Sequence, residues 1–476
     1  MAVAATLHKP CPRRTRTLPR GSVRMLSIWV LIVLFVTIPL ALATPGEVAG
    51  EGGSTASPSP AARYGDLTQA ERIQAIRGFI ERGDLDTAQL LLANSRFDEG
   101  DLGYQAAFLQ TIVLERRGEL AEAEQLSRTI LAERPEFDLV RMHLARILAR
   151  QGNATGATYH LRLLAESSSD RTSRERFESF IDALDANRPF TVGGFISFAP
   201  STNVNNGSSG TQVMLGGLPF TIDEGGRAQS GIGVRAGLNA GYSHALNEQF
   251  TLYTAGSAVF SDYSGKDFDT LVGDLRVGMR YRTASRMLSA EFIADRRWLS
   301  TTPSDYGMGG RIFGSQALMP KLIASGELLF IDRTYDDIPS AAAETVRASG
   351  RLSYYSSAAF SVFAGAGGEW EEVDGRPHNA FDGAFVEIGT TRQFAYGITA
   401  SLQAKVGKRD YEADFPGMTE PRKDDYFELR SGFVKRDWQF HGFTPQLAIS
   451  YYDQSSNVVF YDYDKLGFDI TLTKEF

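Results

Sequence analysis

The chain has 476 residues, a hydrophobic content of 43%, an aromatic content of 11% and a formal net charge of −8. That length allows two or three domains, and the acidic balance argues against a nucleic-acid partner. Beyond the N-terminal region no stretch runs apolar for twenty residues. This excludes an internal transmembrane helix but not membrane-spanning strands, whose alternation averages out in any hydropathy window.

Lys9, Arg13, Arg14, Arg16, Arg20 and Arg24 form a basic leader, residues 26–42 an apolar core, and Ala41 and Ala43 a small-residue cleavage pattern. Residues 1–43 are therefore expected to be a secretory signal peptide. The single cysteine, Cys11, falls inside it, so the processed chain is expected to hold no disulfide, no thiolate chemistry and no lipid anchor of its own. Processing leaves 43 basic against 57 acidic residues. Residues 44–65, rich in Gly, Ser, Pro and Ala, read as a flexible leader.

Residues 66–187 change to a helical pattern, in which a short signature recurs. Gly83 is followed five residues on by Ala88, Gly118 by Ala123, and Gly152 by Ala157. The glycine ends one helix and permits the turn, while the small alanine lets two helices pack closely. A spacing of 34 or 35 residues is the tetratricopeptide period. Pro135, seventeen after Gly118, stands where that repeat places its closing proline; Gly100 and Ser169 replace it in the other two units. Three stacked units bury a shared core and leave a concave surface. His143 and His160 read as packing or surface residues, and Glu115, Arg116 and Arg117 as a solvated face.

Residues 188–476 alternate apolar and polar in fourteen segments. The fourth sets Leu271, Leu275, Val277, Met279 and Tyr281 against Asp274, Arg276, Gly278, Arg280 and Arg282. Lipid outside and water inside explain such a pattern, so the fold class is an all-α tetratricopeptide-like domain followed by a transmembrane antiparallel β-barrel of about fourteen strands. The connections alternate long (200–229, 337–343, 373–379, 410–423, 455–462) and short (245–248, 284–285, 319–320, 357, 393). Short turns face the periplasm, and an even strand number leaves the helical domain there too, with the barrel in the outer membrane. Phe250, Phe394, Trp438 and Phe476 fit the lower aromatic girdle; Tyr263, Trp298, Tyr335, Trp370 and Tyr411 fit the upper. In the closing segment Phe468, Ile470, Leu472 and Phe476 share the apolar face, the expected signal for the barrel-assembly machinery.

The expected lumen face carries Arg276, Arg280, Arg311, Arg347, Arg351 and Arg430 among Glu291, Asp295, Glu327, Glu387 and Glu428. Mixed signs suit a path that must hold no segment tightly, and equally suit pairing within the wall. No phosphate-binding loop, no Gly-x-Ser-x-Gly elbow and no convincing base beside His244, His378 or His441 appears, so neither an enzyme nor a cofactor is expected.

The Gly-x-x-x-x-Ala units at 83, 118 and 152, the Arg188-Pro189-Phe190 junction and the closing Asp469-to-Phe476 strand resemble the surface lipoprotein assembly modulator family. The resemblance spans residues 66–476 and rests on architecture. It implies an outer-membrane translocator, set in outer-membrane lipid, that moves a surface lipoprotein or related secreted protein out of the periplasm. The alternative reading is a polysaccharide-export porin, which also joins tetratricopeptide repeats to a barrel. Three units and fourteen strands are few for that class.

Overall fold

The computed structural model describes residues 64 and 67–473, apart from 99, 187, 265–267, 339–340, 437 and 439–442. The expected signal peptide, the leader except Tyr64, and Phe476 lie outside the described residues, as does His441.

Among the described residues seven helices come first: α1 (Gln69–Glu81), α2 (Leu85–Asn94), α3 (Asp101–Arg117), α4 (Leu120–Glu133), α5 (Asp138–Arg150), α6 (Ala154–Ser167) and α7 (Arg171–Ala186). Local chemistry sets their ends. Thr68 and Glu71 close a capping box on α1, Asp84 caps α2, and Asn153 caps α6. Gly83, Gly118 and Gly152 stand between the helices of three hairpins at φ of 81°, 85° and 80°. That left-handed backbone strains any residue with a Cβ. Ala88, Ala123 and Ala157 are fully buried where the paired helices meet. Ile73, Ile76 and Ile80 pack with Leu109 and Val113, and further along Ala145, Leu161 and Ile181 draw α7 onto α5 and α6. Each hairpin thus buries its apolar stripe against the next.

β1 (Phe190–Phe198) leads to a short hairpin, β2 (Gln212–Leu215) with β3 (Leu218–Thr221). Then come β4 (Gly233–Ala245), β5 (Phe250–Tyr263), β6 (Thr270–Arg282), β7 (Arg286–Leu299), β8 (Thr302–Met319), β9 (Leu322–Tyr335) and β10 (Ala343–Ser357). The rest are β11 (Phe360–Val373), β12 (Phe381–Gln393), β13 (Ile398–Asp414), β14 (Pro421–Lys435), β15 (Thr444–Ser456) and β16 (Tyr463–Thr473). Apart from β2 and β3, these fourteen strands close into one antiparallel ring, β1 pairing with both β4 and β16. On β6, Leu271, Leu275, Val277 and Met279 are exposed on the outside, while the alternate positions turn inward. An exposed apolar belt repeated round the ring is the surface that lipid requires, and the chain is an outer-membrane β-barrel. Among the described residues no helix is long and apolar enough to cross a membrane.

Two expectations are corrected, and the long 200–229 connection has order of its own. It holds the β2–β3 hairpin, whose Val213 is buried and whose Gly216 amide donates to Gly417 O. Its Val-Met-Leu and Leu-Pro-Phe-Thr runs, split by Gly216-Gly217, were a hairpin signal hidden by the polar flanks. Tyr263, Tyr335 and Tyr411 do not belong to the upper girdle. They share strand parity with the lumen residues Ser257, Arg333 and Arg409, so the two-residue period turns their rings inward. Finally, Glu115 is buried, not solvated, because its helical face meets α5.

Candidate functional site at the barrel lumen and mouth

The eleven charges expected at the lumen alternate with the exposed apolar positions of their strands, and most find partners within the wall. Glu291 on β7 pairs with Arg311, its register neighbour on β8, which also reaches Glu327 on β9 at 3.7 Å. Arg347 pairs with Glu369, Arg430 with Glu428, and Arg276 with Asp274 at 2.9 Å. Asp295 takes both Nη atoms of Arg333 at 3.0 Å. Arg280 lies over the Tyr253 ring, whose hydroxyl donates to Glu291 at 2.7 Å. Such pairs satisfy charge locally within the wall.

Glycines make some of these pairs possible. Arg351 on β10 reaches Glu387 on β12 at 2.6 Å by crossing β11 at Gly365, where a Cβ would stand 2.8 Å from Glu387 Oε1. Arg333 reaches Asp295 across Gly307 in the same way, with a Cβ 2.7 Å from Asp295 Oδ1. Rings use the same device: Phe385 lies over Gly367 on the neighbouring strand, and Tyr426 over Gly407. Side chains that lie along the wall leave the lumen wider than side chains that cross it.

The helices are fastened across the short-turn end of the ring. Gln393, the last residue of β12, accepts from Arg141 Nη2 of α5 at 2.8 Å and donates to Tyr159 Oη of α6 at 3.2 Å. Nearby, the Gly397 amide donates to Ala132 O of α4 at 3.1 Å. Round the ring, Arg282 at the end of β6 pairs with Asp182 at 2.8 Å and Asp185 at 3.5 Å on α7. Between these anchors Glu166 of α6 interacts with Tyr355 near the end of β10. β6 and β12 stand six strands apart in a ring of fourteen, so the anchors are nearly opposite each other.

Burial governs the electrostatics of this contact. Arg141 is 1% exposed, and its Nη1 lies 3.4 Å from His160 Nδ1. Burial, reinforced by Arg141, holds His160 well below its ordinary value. The ring is therefore neutral and Nδ1 is free to accept from the guanidinium. Glu166 is pushed up to about 7, chiefly by burial, with Arg162 and the Tyr355 hydroxyl opposing. Burial also raises Glu178 on α7 and Asp138 on α5. In contrast Glu115, in the helical core, is held below its ordinary value: the hydrogen bonds and charges of Arg146 and Arg150 outweigh its burial. His143 beside it is buried and lowered, chiefly by burial.

Sequence reasoning marked Arg282 only as a polar position of the fourth segment and marked none of the other residues as docking residues. Arg141, Tyr159, Glu166 and Gln393 sit singly in helices and a strand end, with no spacing that links them. The repeat residues Gly83, Gly118, Gly152, Ala88, Ala123 and Ala157 lie in the helix hairpins, and Pro135 lies in the α4–α5 turn, where its carbonyl accepts from Arg141. Phe468, Ile470 and Leu472 project outward from β16.

A family model described as "Surface lipoprotein assembly modifier" matches residues 190–476, the whole ring. A relative of that description, surface lipoprotein assembly modifier 1 of Haemophilus influenzae, is 24% identical over 77% of this chain and 76% of its own length. The protein of the same title from Neisseria meningitidis serogroup B is 23% identical over 78% of this chain and 76% of its own. Both shares exceed the barrel alone, so the similarity runs back into the helices.

Proposed function

We propose a function from one premise: this chain belongs to the surface lipoprotein assembly modifier family. Its role is in surface lipoprotein assembly at the outer membrane, a role of transport and assembly rather than a class of enzyme. The finer reading is that it moves a client lipoprotein from the periplasm to the cell surface through or along the barrel, with the helices receiving the client. In this reading residues 1–43 are a removed signal, 44–65 a leader, 66–187 the periplasmic receiving domain and 188–476 the translocating barrel. Phe468, Ile470 and Leu472 present the apolar face that the assembly machinery reads, and the outer belt contacts lipid.

The observation that carries this reading is the fastening of the helices across the short-turn mouth, from β6 to β12. A client on the periplasmic side meets the helices before it meets the lumen. Most of the named charges in the wall behind them are paired, and Phe385 and Tyr426 lie along it, so it offers a chain in transit little to hold. Directionality then comes from folding or capture of the client outside.

Protease accessibility on intact cells tests it. A lipoprotein encoded beside this gene is expressed with and without the chain. Digestion from outside only when the chain is present is the expected result. Unchanged exposure overturns the reading and directs the same assay to surface glycan.

A further inference from the structure

Among the described residues the ring has its fewest register pairs where it closes: β1 and β16 share four, Phe195 to Phe198 against Thr473 to Ile470. β1 shares nine with β4, and β15 shares eleven with β16. Above those four rungs the pairing turns irregular. Pro200 accepts from the Phe468 amide, the Thr202 amide donates to Leu466 O, and the Thr202 hydroxyl accepts from the Leu466 amide. On the lumen side the seam is held by polar side chains: Thr471 Oγ1 donates to Ser197 Oγ at 2.9 Å and Ser197 lies 3.2 Å from Asp469.

At the long-loop end of the same seam lies a cleft of about 350 Å³. Ile232, Leu466, Phe468 and Pro200 supply apolar lining, and Thr202 and Ser230 supply hydroxyls. Ile232 is 61% exposed and Phe468 37%. The cleft is continuous with the lipid-facing belt through Ile196, Ile470 and Leu472, all exposed on the outside.

This inference rests on the translocation reading above. A lipoprotein is one covalent molecule with two incompatible parts. Its acyl chains gain by staying in hydrocarbon, and its polypeptide gains by staying in a polar lumen. If the polypeptide is in the lumen while the anchor is in the bilayer, the bond joining them passes through the wall. A closed ring has to part for this, and parting costs least where the fewest backbone hydrogen bonds are exposed to lipid. α7 ends at Ala186 and β1 begins at Phe190, so helices that shift to admit a client pull directly on β1. We propose that the β1–β16 seam opens toward the bilayer and that the cleft at its outer end receives the acyl chains of the client's lipid anchor.

A disulfide lock tests this. The only cysteine of the chain is Cys11, so an introduced pair is unambiguous. Ser197→Cys with Thr471→Cys joins register partners across the seam. Ser257→Cys with Asp274→Cys, register partners on β5 and β6, is the control. Surface exposure of a lipoprotein that the wild-type chain delivers is measured before and after dithiothreitol. Delivery should fall to background with the seam locked, return on reduction, and persist with the control lock. Delivery that survives the seam lock, or that both locks abolish, overturns the proposal. A wild-type chain that delivers nothing instead sinks the translocation reading itself. For the cleft, Ile232→Asp places a charge among its apolar lining, and heat-modifiable migration confirms that the barrel has folded. Reduced delivery of the lipidated client is expected; unchanged delivery removes the cleft from the proposal.

Discussion

Arg141 Nη2 and Gln393 Oε1, 252 residues apart in the chain, meet at 2.8 Å in a buried contact that ties helix α5 to the last residue of β12. The guanidinium also donates to Pro135 O and faces neutral His160, so one side chain joins a helix turn, a helix interior and the barrel rim. Gln393→Leu removes the acceptor of Arg141 Nη2 and the amide that donates to Tyr159 Oη. Leaving a buried donor unpaired costs about 1–3 kcal/mol. Hydrogen exchange should accelerate in α5 and α6, while the barrel retains its heat-modifiable migration. Gln393→Glu keeps an acceptor for Arg141 and should exchange close to the wild-type rate.

Docking is expected to depend on pH through Glu166. The ordinary carboxyl value is 4.5, and in the docked state it is about 7. The docked state therefore binds the proton more tightly between those values. The stabilisation from this group is complete below 4.5 and is lost as pH rises through 7. Glu178 and Asp138, raised by burial, act in the same sense. His160, lowered by burial, opposes it below its ordinary 6.5, so the Glu166 contribution is read as a difference between wild type and Glu166→Gln across pH 4.5 to 7. As pH rises through that interval, exchange in α6 of the wild type should gain on that of the variant, and above 7 the difference should stay constant. A slope of equal size in the variant would assign it to other groups.

The opposite anchor is electrostatic and half-exposed. Arg282→Asp sets like charges against Asp182 and Asp185 and should free α7 from the β6 end. Asp182→Arg in the same chain should restore docking in part. Surface pairs contribute about 0.2–1 kcal/mol, so this anchor should yield less than Gln393. Cross-linking yield between α7 and the β6–β7 turn reports the effect, and additivity of the two substitutions would show no direct coupling.

Gly365, whose Cβ would face the lumen, contrasts with Gly350 on the next strand, which shares the outward parity of Leu352 and Tyr354. A Cβ at Gly365 stands 2.8 Å from Glu387 Oε1 and 2.9 Å from Gly350 O, whereas a Cβ at Gly350 has nothing nearer than Ser325 O at 4.0 Å. Gly365→Val should break the Arg351–Glu387 pair and cost about 1–3 kcal/mol of overpacking. Gly350→Ala should be silent. The urea midpoint of barrel unfolding, followed by heat-modifiable migration, separates the two.

The legible features in this sequence are those set by a period. Leu271, Leu275, Val277 and Met279 declared a lipid face because period two is a property of neighbours along one strand. Gly118 and Ala123 declared a helix turn because a repeat of 34 or 35 residues places the same demand three times. The girdle tyrosines were misassigned for want of that test: Tyr335 and Tyr411 lie near strand ends, but their parity is inward. Glu115 read as surface because charge suggests solvent, and only the face that meets Arg146 and Arg150 shows why it is buried.

The sequence by itself determined the two-part architecture and the number of strands in the ring, since each follows from local alternation or from repeat spacing. Tertiary structure alone decided that Arg141 meets Gln393, that Arg351 crosses Gly365 to reach Glu387, and that closure rests on four described rungs between β1 and β16. Those are contacts between residues far apart in the chain. Ring closure and the docking of one domain on another choose them, and no periodicity along the sequence records that choice.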